Sequence, residues 1–89
     1  MSNLRGGNLE EMRLMSKMFS ENAGKLNGII SVLNSRTAGS EHIWTGPAAD
    51  RFRTAWSEAR ASFEKMRLAL DEASTAVNKS AQNIETATR

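Results

Sequence analysis

The stretch HIWTGPAADRFRTAWSEA, residues 42–59, decides the fold. It sets Trp44, Thr45 and Gly46 against Pro47, the only proline of the chain. A run of alanine, arginine and aromatic residues follows, with no further breaker. Gly46 precedes a proline and is therefore biased away from helical angles. Pro47 suits the first position of a helix, where a missing N–H is no loss. The stretch thus reads as a corner and then a helix, with Gly46 as N-cap and Asp50 near the positive helix end. Trp44 carries an indole that is costly to leave in water, so its simplest role is a plug closing the corner.

Downstream of Pro47, apolar residues recur at Ala49, Phe52, Trp56, Ala59, Phe63, Met66, Leu70, Ala73, Val77, Ile84 and Ala87. This three-four rhythm, broken only at Ser80, marks one face of a helix. A helix of roughly 40 residues extends roughly 60 Å at 1.5 Å per residue. It is not stable alone, and its apolar face must be covered. Ala48, Ala55, Ser62, Ala69 and Ala76 form a line of small residues at intervals of seven, along which another helix can approach closely.

Upstream, Asn8 followed by Glu11 reads as an N-cap with a partner acid, and Glu10 and Glu11 suit a helix start. Leu9, Met12, Phe19, Ala23, Leu26, Ile30 and Leu33 then keep the helical spacing, with Ser16 as the lapse. A second, broken stripe comprises Leu14, Met18, Ile29 and Val32. Gly24 and Gly28 cost roughly 1 kcal/mol each relative to alanine. They are either tolerated on the outer face or allow close backbone approach. Asn34, Ser35, Gly39 and Ser40 supply loop chemistry.

The predicted architecture is a single all-α domain over 1–89, an antiparallel two-helix hairpin. Helix 1 is expected at about 8–34, the connecting loop at about 35–46 and helix 2 at about 47–86, with frayed ends. The predicted hairpin core is Leu9, Met12, Phe19, Leu26, Ile30, Leu33, Phe52, Trp56, Phe63, Met66, Leu70 and Val77. Leu26, Ile30 and Leu33 should meet Phe52 and Trp56 near the loop, and Leu9 and Met12 should oppose Leu70, Ala73 or Val77. Leu14, Met18, Ile29, Val32, Ala55 and Ala69 remain as a candidate partner interface.

Composition narrows the function. The chain has 89 residues and no cysteine, which excludes disulfides and thiolate metal sites. The formal net charge of +2 is too slight to argue for nucleic acid or an anionic membrane. No secretory signal peptide and no bilayer-spanning segment is visible. His42 is the only histidine, and it stands without a nucleophile constellation. Ser62-Phe63-Glu64-Lys65 matches S-x-x-K, but lies mid-helix without companion motifs. No enzyme, metal site or cofactor is expected. Arg53, Arg60 and Arg67 recur every seven residues, as a phosphate-binding stripe would. Glu64 and Asp71, four residues after Arg60 and Arg67, neutralise that stripe as on a solvated helix face. Nucleic-acid binding is therefore the weaker rival. Met12, Met15, Met18 and Met66 suit an adaptable core or partner surface, and the mixed charge of helix 2 argues against stable membrane insertion.

The chain resembles the WXG (Trp-x-Gly) family of small, early-secreted-antigen-like proteins exported by type VII, or ESX, secretion systems. The likeness rests on Trp44-Thr45-Gly46 near mid-chain, the following PAADRF, Trp56 and Phe63, and the length, and it covers essentially the whole chain. The resemblance implies an antiparallel hairpin that pairs, as a homodimer or with a family paralogue, into an elongated four-helix bundle. It implies synthesis in the cytoplasm and secretion without a classical signal peptide, as a substrate or as the escort of a signal-bearing partner or larger effector. The turn motif Trp44, Gly46 and Pro47 would then shape a bundle-end surface involved in export, with the secretion machinery as partner. One feature departs from the family: the export signal Tyr-x-x-x-Asp/Glu is absent, for the chain has no tyrosine. Ile84 stands near where it would fall, and Thr88 stands in the place of the acid.

Overall fold

A computed structural model of the chain describes residues 7–88. Helix α1 runs Leu9–Gly39, a single 3-10 turn follows at Ser40–His42, and helix α2 runs Pro47–Thr88. The two helices pack side by side into a rod of 64 × 16 × 15 Å. The described residues contain no strand.

The Asn8 side chain accepts from the Glu11 N–H at 3.0 Å, so α1 begins as the capping pattern predicts. Such a cap contributes about 1 kcal/mol. At its other end α1 continues past Asn34, where the sequence suggests a loop, to Gly39. The reason lies across the hairpin: Trp56 Nε1–H donates to Asn34 Oδ1 at 3.2 Å, so this loop-type residue is held in helix by a tertiary bond. Ser40 Oγ then donates to the Thr37 carbonyl at 2.6 Å and closes the last turn. The connection shortens to the 3-10 turn and residues 43–46. Helix α2 begins at Pro47 as expected, with the Asp50 N–H bonded to the Gly46 carbonyl at 3.0 Å.

The longer α1 also shifts the register of the pair. Asn34 rather than Leu33 stands beside Trp56, which places Ile30 near the level of Arg60 instead of Trp56. Between the middle of the rod and its open end, Ser16 Oγ donates to the Ser74 carbonyl at 2.8 Å, and Ser74 Oγ donates to the Ser16 carbonyl at 2.7 Å. Leu9 and Met12 therefore lie beyond Ser74, toward Val77 and Ile84 and away from Leu70. Arg13 pairs with Glu85 at 2.9 Å near the open end. Both groups are over two-fifths exposed, so that pair adds at most about 1 kcal/mol.

The most buried residues are small or polar: Ser16, Ala23, Ala49 and Ala81, with Ile30. They mark the line of close helix approach, and Leu9, Met12, Phe19, Leu26, Trp56, Phe63, Leu70, Val77 and Ile84 are half-buried around it. Three residues expected in this core are not there. Leu33 is 43% exposed, Phe52 46% and Met66 53%. Their displacement follows the line of the seam on each helix. On α2 the buried seam takes the fourth residue at four steps, Arg53, Arg67, Ser74 and Ala81, where hydrophobicity favours the third, as in Phe52 and Met66. Only from Trp56 does the third, Ala59, stay half-buried while Arg60 is exposed. The apparent lapse at Ser80 then disappears, because Ala81 carries the seam. On α1 the seam steps from Ile30 to Asn34, as a helix of 3.6 residues per turn drifts against a seven-residue repeat. The lapse at Ser16 is likewise a buried contact.

Because Ser16 faces Ser74 where the backbones are close, Ser16→Leu is expected to cost about 2 kcal/mol. It overpacks the contact and removes the bond from Ser16 Oγ to the Ser74 carbonyl. A urea melt at fixed protein concentration checks this; a cost below about 0.5 kcal/mol would rule out the tight approach.

Candidate functional site

Two features stand out: the corner and one long side. The corner is built on Arg53, whose side chain is only one-fifth exposed. Its guanidinium donates to the Ser40 carbonyl at 3.1 Å, to Ser40 Oγ at 3.3 Å and to the Trp44 carbonyl, and it lies 3.7 Å from the Asp50 carboxylate. A planar fork of N–H donors suits such a cluster of oxygens. Arg53 thus ties the end of α1 and the connection to the first turns of α2. The sequence offers Arg53 only as a member of a cationic stripe, and this clamp has no signature in spacing.

The same geometry dismantles that stripe. Arg67 is turned toward the hairpin, with Asp71 at 3.4 Å and Glu64 at 3.7 Å. Glu64, expected to neutralise Arg60, serves Arg67 instead. Two of the three arginines are inward and paired, which leaves Arg60 as the only exposed cation of the line.

Trp44 is not the buried plug its size suggests. It is 43% exposed, and its ring leans on Phe52 with centroids 5.5 Å apart and planes at 43°. Phe52 is the floor beneath Trp44, which explains its absence from the core. Ile43, 84% exposed, extends the knob. The Trp44 N–H donates to the Ser40 carbonyl at 2.9 Å and anchors the backbone below. Gly46 has φ +107, a conformation that side-chain-bearing residues rarely adopt. No atom lies within 4 Å of the position a Cβ would take, so any cost of adding one is purely conformational. Gly46→Ala is expected to cost about 1–2 kcal/mol, read as a shift in urea midpoint at unchanged m-value.

Along the rod, the expected partner residues Leu14, Met18, Ile29 and Val32 are 51–59% exposed, and Ala55 and Ala69 are exposed as well. Met15, 44% exposed, joins them, as do Leu33, Phe52 and Met66, the residues missing from the core. Met18, Phe19, Asn22 and Leu70 line one shallow depression, so both helices form this side. Helical phase puts Arg13, Arg53, Arg67, Asp71 and Glu85 on the opposite flank. The first side is mainly apolar, with Lys25 at its edge, and the second carries the ion pairs, with Leu68, 51% exposed, beside Asp71 and Glu72. Gly24 and Gly28 have open space where a Cβ would stand, so neither admits a close approach within the chain.

Around His42, which is exposed in the 3-10 turn, nothing is assembled for chemistry. Among the described residues no three His, Cys, Asp or Glu side chains are grouped as metal ligands. Ser62 and Lys65 of the S-x-x-K match are both exposed on α2. Within the described residues, no helix is long and apolar enough to cross a membrane.

Two long antiparallel helices, a Trp-x-Gly corner displayed at one end and an uncovered apolar side define a small all-helical hairpin protein. The chain belongs to the WXG100 family, described as proteins of 100 residues with WXG, which matches residues 7–88. Among solved structures it is similar to EsxA of Geobacillus thermodenitrificans in crystal form I, with 26% identity and a TM-score of 0.85 over 91% of this chain and 90% of that one. No curated protein matches it by sequence.

Proposed function

We propose that the chain is a non-enzymatic substrate of a type VII (ESX) secretion system, exported folded as a pair of hairpins that form a four-helix bundle. The observation that carries this reading is the corner. In a WXG100 hairpin, Arg53 and Gly46 hold Trp44 outward on Phe52, at the end of the rod, where a docking protein can reach it. The uncovered apolar side supplies the pairing face. Leaving so many large side chains in water is costly, at roughly 25 cal/mol per Å² of apolar surface.

A second reading has its own support. The chain has no tyrosine, Ile84 is half-buried against the hairpin, and no acid stands at position 88. It would then travel as the escort of a signal-bearing partner. The test is export into the medium from a host with an intact or a disabled type VII system, with the chain expressed alone and with a tyrosine-bearing family member. Export alone supports the substrate reading, and export only on co-expression supports the escort. Release that persists with the system disabled sinks both.

Pairing has a separate check. Ile29→Asp places a carboxylate in the middle of the apolar side and should weaken association at least a hundredfold, while helicity is retained because Ile29 is 55% exposed in the single hairpin. Sedimentation equilibrium with far-UV circular dichroism reads both.

A further inference from the structure

The methionines within the described residues are of two kinds. Met15, Met18 and Met66 are 44%, 51% and 53% exposed, and all three belong to the apolar side. Met12 is half-buried, with its sulfur packed into the open end of the hairpin. Its Sδ stands 2.5 Å from the point that a Cβ on Gly7 would occupy, and Ile84 Cδ1 lies 3.6 Å from that same point. The three exposed thioethers form a band that crosses from one helix to the other. Met15 and Met18 line one depression with Leu14, and Met18 shares a second with Phe19 and Leu70. Met66 stands one turn before Leu70 on α2, so the band continues across the groove.

We propose that Met15, Met18 and Met66 are a modification site, at which oxidation by a peroxide switches off pairing of the hairpins. The inference rests on the reading that the apolar side is a pairing face, and it adds a chemical control on that face. The step is a transfer of one oxygen and two electrons. The thioether sulfur attacks a peroxide oxygen, an S–O bond forms and the O–O bond breaks. Hydroxide leaves and takes up a proton, so hydrogen peroxide is reduced to water and methionine is oxidised to its sulfoxide. The reaction needs access to the sulfur and no catalytic group, and these three side chains are the accessible ones.

The product affects the single hairpin and the pair unequally. In the single hairpin the new oxygen stays in water, and the fold loses little. In the pair it is enclosed among Leu14, Ile29 and Val32, whose side chains offer no hydrogen-bond donor. A buried acceptor without a donor is disfavoured, so pairing weakens. Pairing in turn shields the sulfurs from the oxidant. Leucine at the same positions would supply similar apolar volume without this sensitivity. Thioethers therefore give the face a property that its packing does not require.

Met12 provides the contrast within the same chain. An oxygen added to its sulfur has no room against Gly7, and the oxidant reaches that sulfur only when the open end of the hairpin separates. Oxidation at Met12 thus reports loss of the fold, whereas oxidation at the other three reports an uncovered face.

Hydrogen peroxide is the probe. The purified chain is treated until peptide mass spectrometry finds one added oxygen on each of Met15, Met18 and Met66. Sedimentation equilibrium and far-UV circular dichroism are then read on that sample. The association constant should fall at least about thirtyfold with helicity unchanged. Met12 should be oxidised at least about tenfold more slowly, and the three exposed sulfurs should react more slowly as protein concentration rises. The variant Met15→Leu/Met18→Leu/Met66→Leu should pair equally, to within about threefold, before and after peroxide. Unchanged pairing of the oxidised chain overturns the inference, as does equal oxidation of Met12. Loss of pairing in the leucine variant on peroxide treatment also overturns it. A chain that is monomeric before treatment removes the pairing reading and this inference together, whereas pairing that survives oxidation removes this inference alone.

Discussion

Trp56→Ala is expected to lower the stability of the hairpin by about 3 kcal/mol, the largest effect of any single truncation in the core. The ring is half-buried at the seam, packs on Phe63 with centroids 6.3 Å apart, and bonds through Nε1–H to Asn34. Truncation opens a cavity between the helices and leaves the last turns of α1 without the bond that holds Asn34 in helix. Partial exposure keeps the cost toward the lower end of the 3–5 kcal/mol range for buried aromatic truncations. Phe52→Ala, one turn earlier and 46% exposed, should cost less than about 1 kcal/mol in the same host. Thermal or urea melts of both variants, at one fixed concentration because pairing is linked to stability, make the comparison. Equal losses would place Phe52 back in the core. A loss under 1 kcal/mol for Trp56 would remove it from the core.

Trp44→Ala is expected to leave helicity and association unchanged while reducing export at least about thirtyfold, the effect of losing a recognition residue worth 2 kcal/mol. The fold should tolerate the change because the backbone groups of Trp44, its N–H to Ser40 and its carbonyl to Arg53, remain. What is lost is the ring that stands on Phe52. Secreted and cell-associated protein measured by quantitative immunoblot, with circular dichroism on the purified variant, separates the two roles. Normal export of a folded variant would leave Trp44 a structural role only.

The period of the apolar residues established both helices, and Pro47 with its preceding glycine established where α2 begins. The end of α1 was less legible. Asn34, Ser35 and Gly39 carry loop propensities, and the bonds that hold this end, from Trp56 to Asn34 and from Arg53 to Ser40, come from the other helix. Local propensity contains no information about a residue on the other helix. The clamp at the corner was hidden for the same reason, since an arginine in a seven-residue repeat looks the same whether it meets water or three backbone and hydroxyl oxygens.

By itself, the sequence determined that this is an all-helical hairpin with a Trp-x-Gly corner, because periodicity, proline chemistry and length act locally along the chain. Which flank of each helix turns inward was decided only by the tertiary structure. Two neighbouring stripes on α2 both satisfy a three-four rhythm, and hydrophobicity favours the one containing Phe52 and Met66. Close packing favours the other, because Ser16 and Ser74 satisfy each other at short range, Ala81 admits the facing backbone, and Arg53 and Arg67 find oxygens within reach. A pair of helices buries the side that lets them approach most closely, and the apolar residues displaced from that contact form the face that remains for a partner.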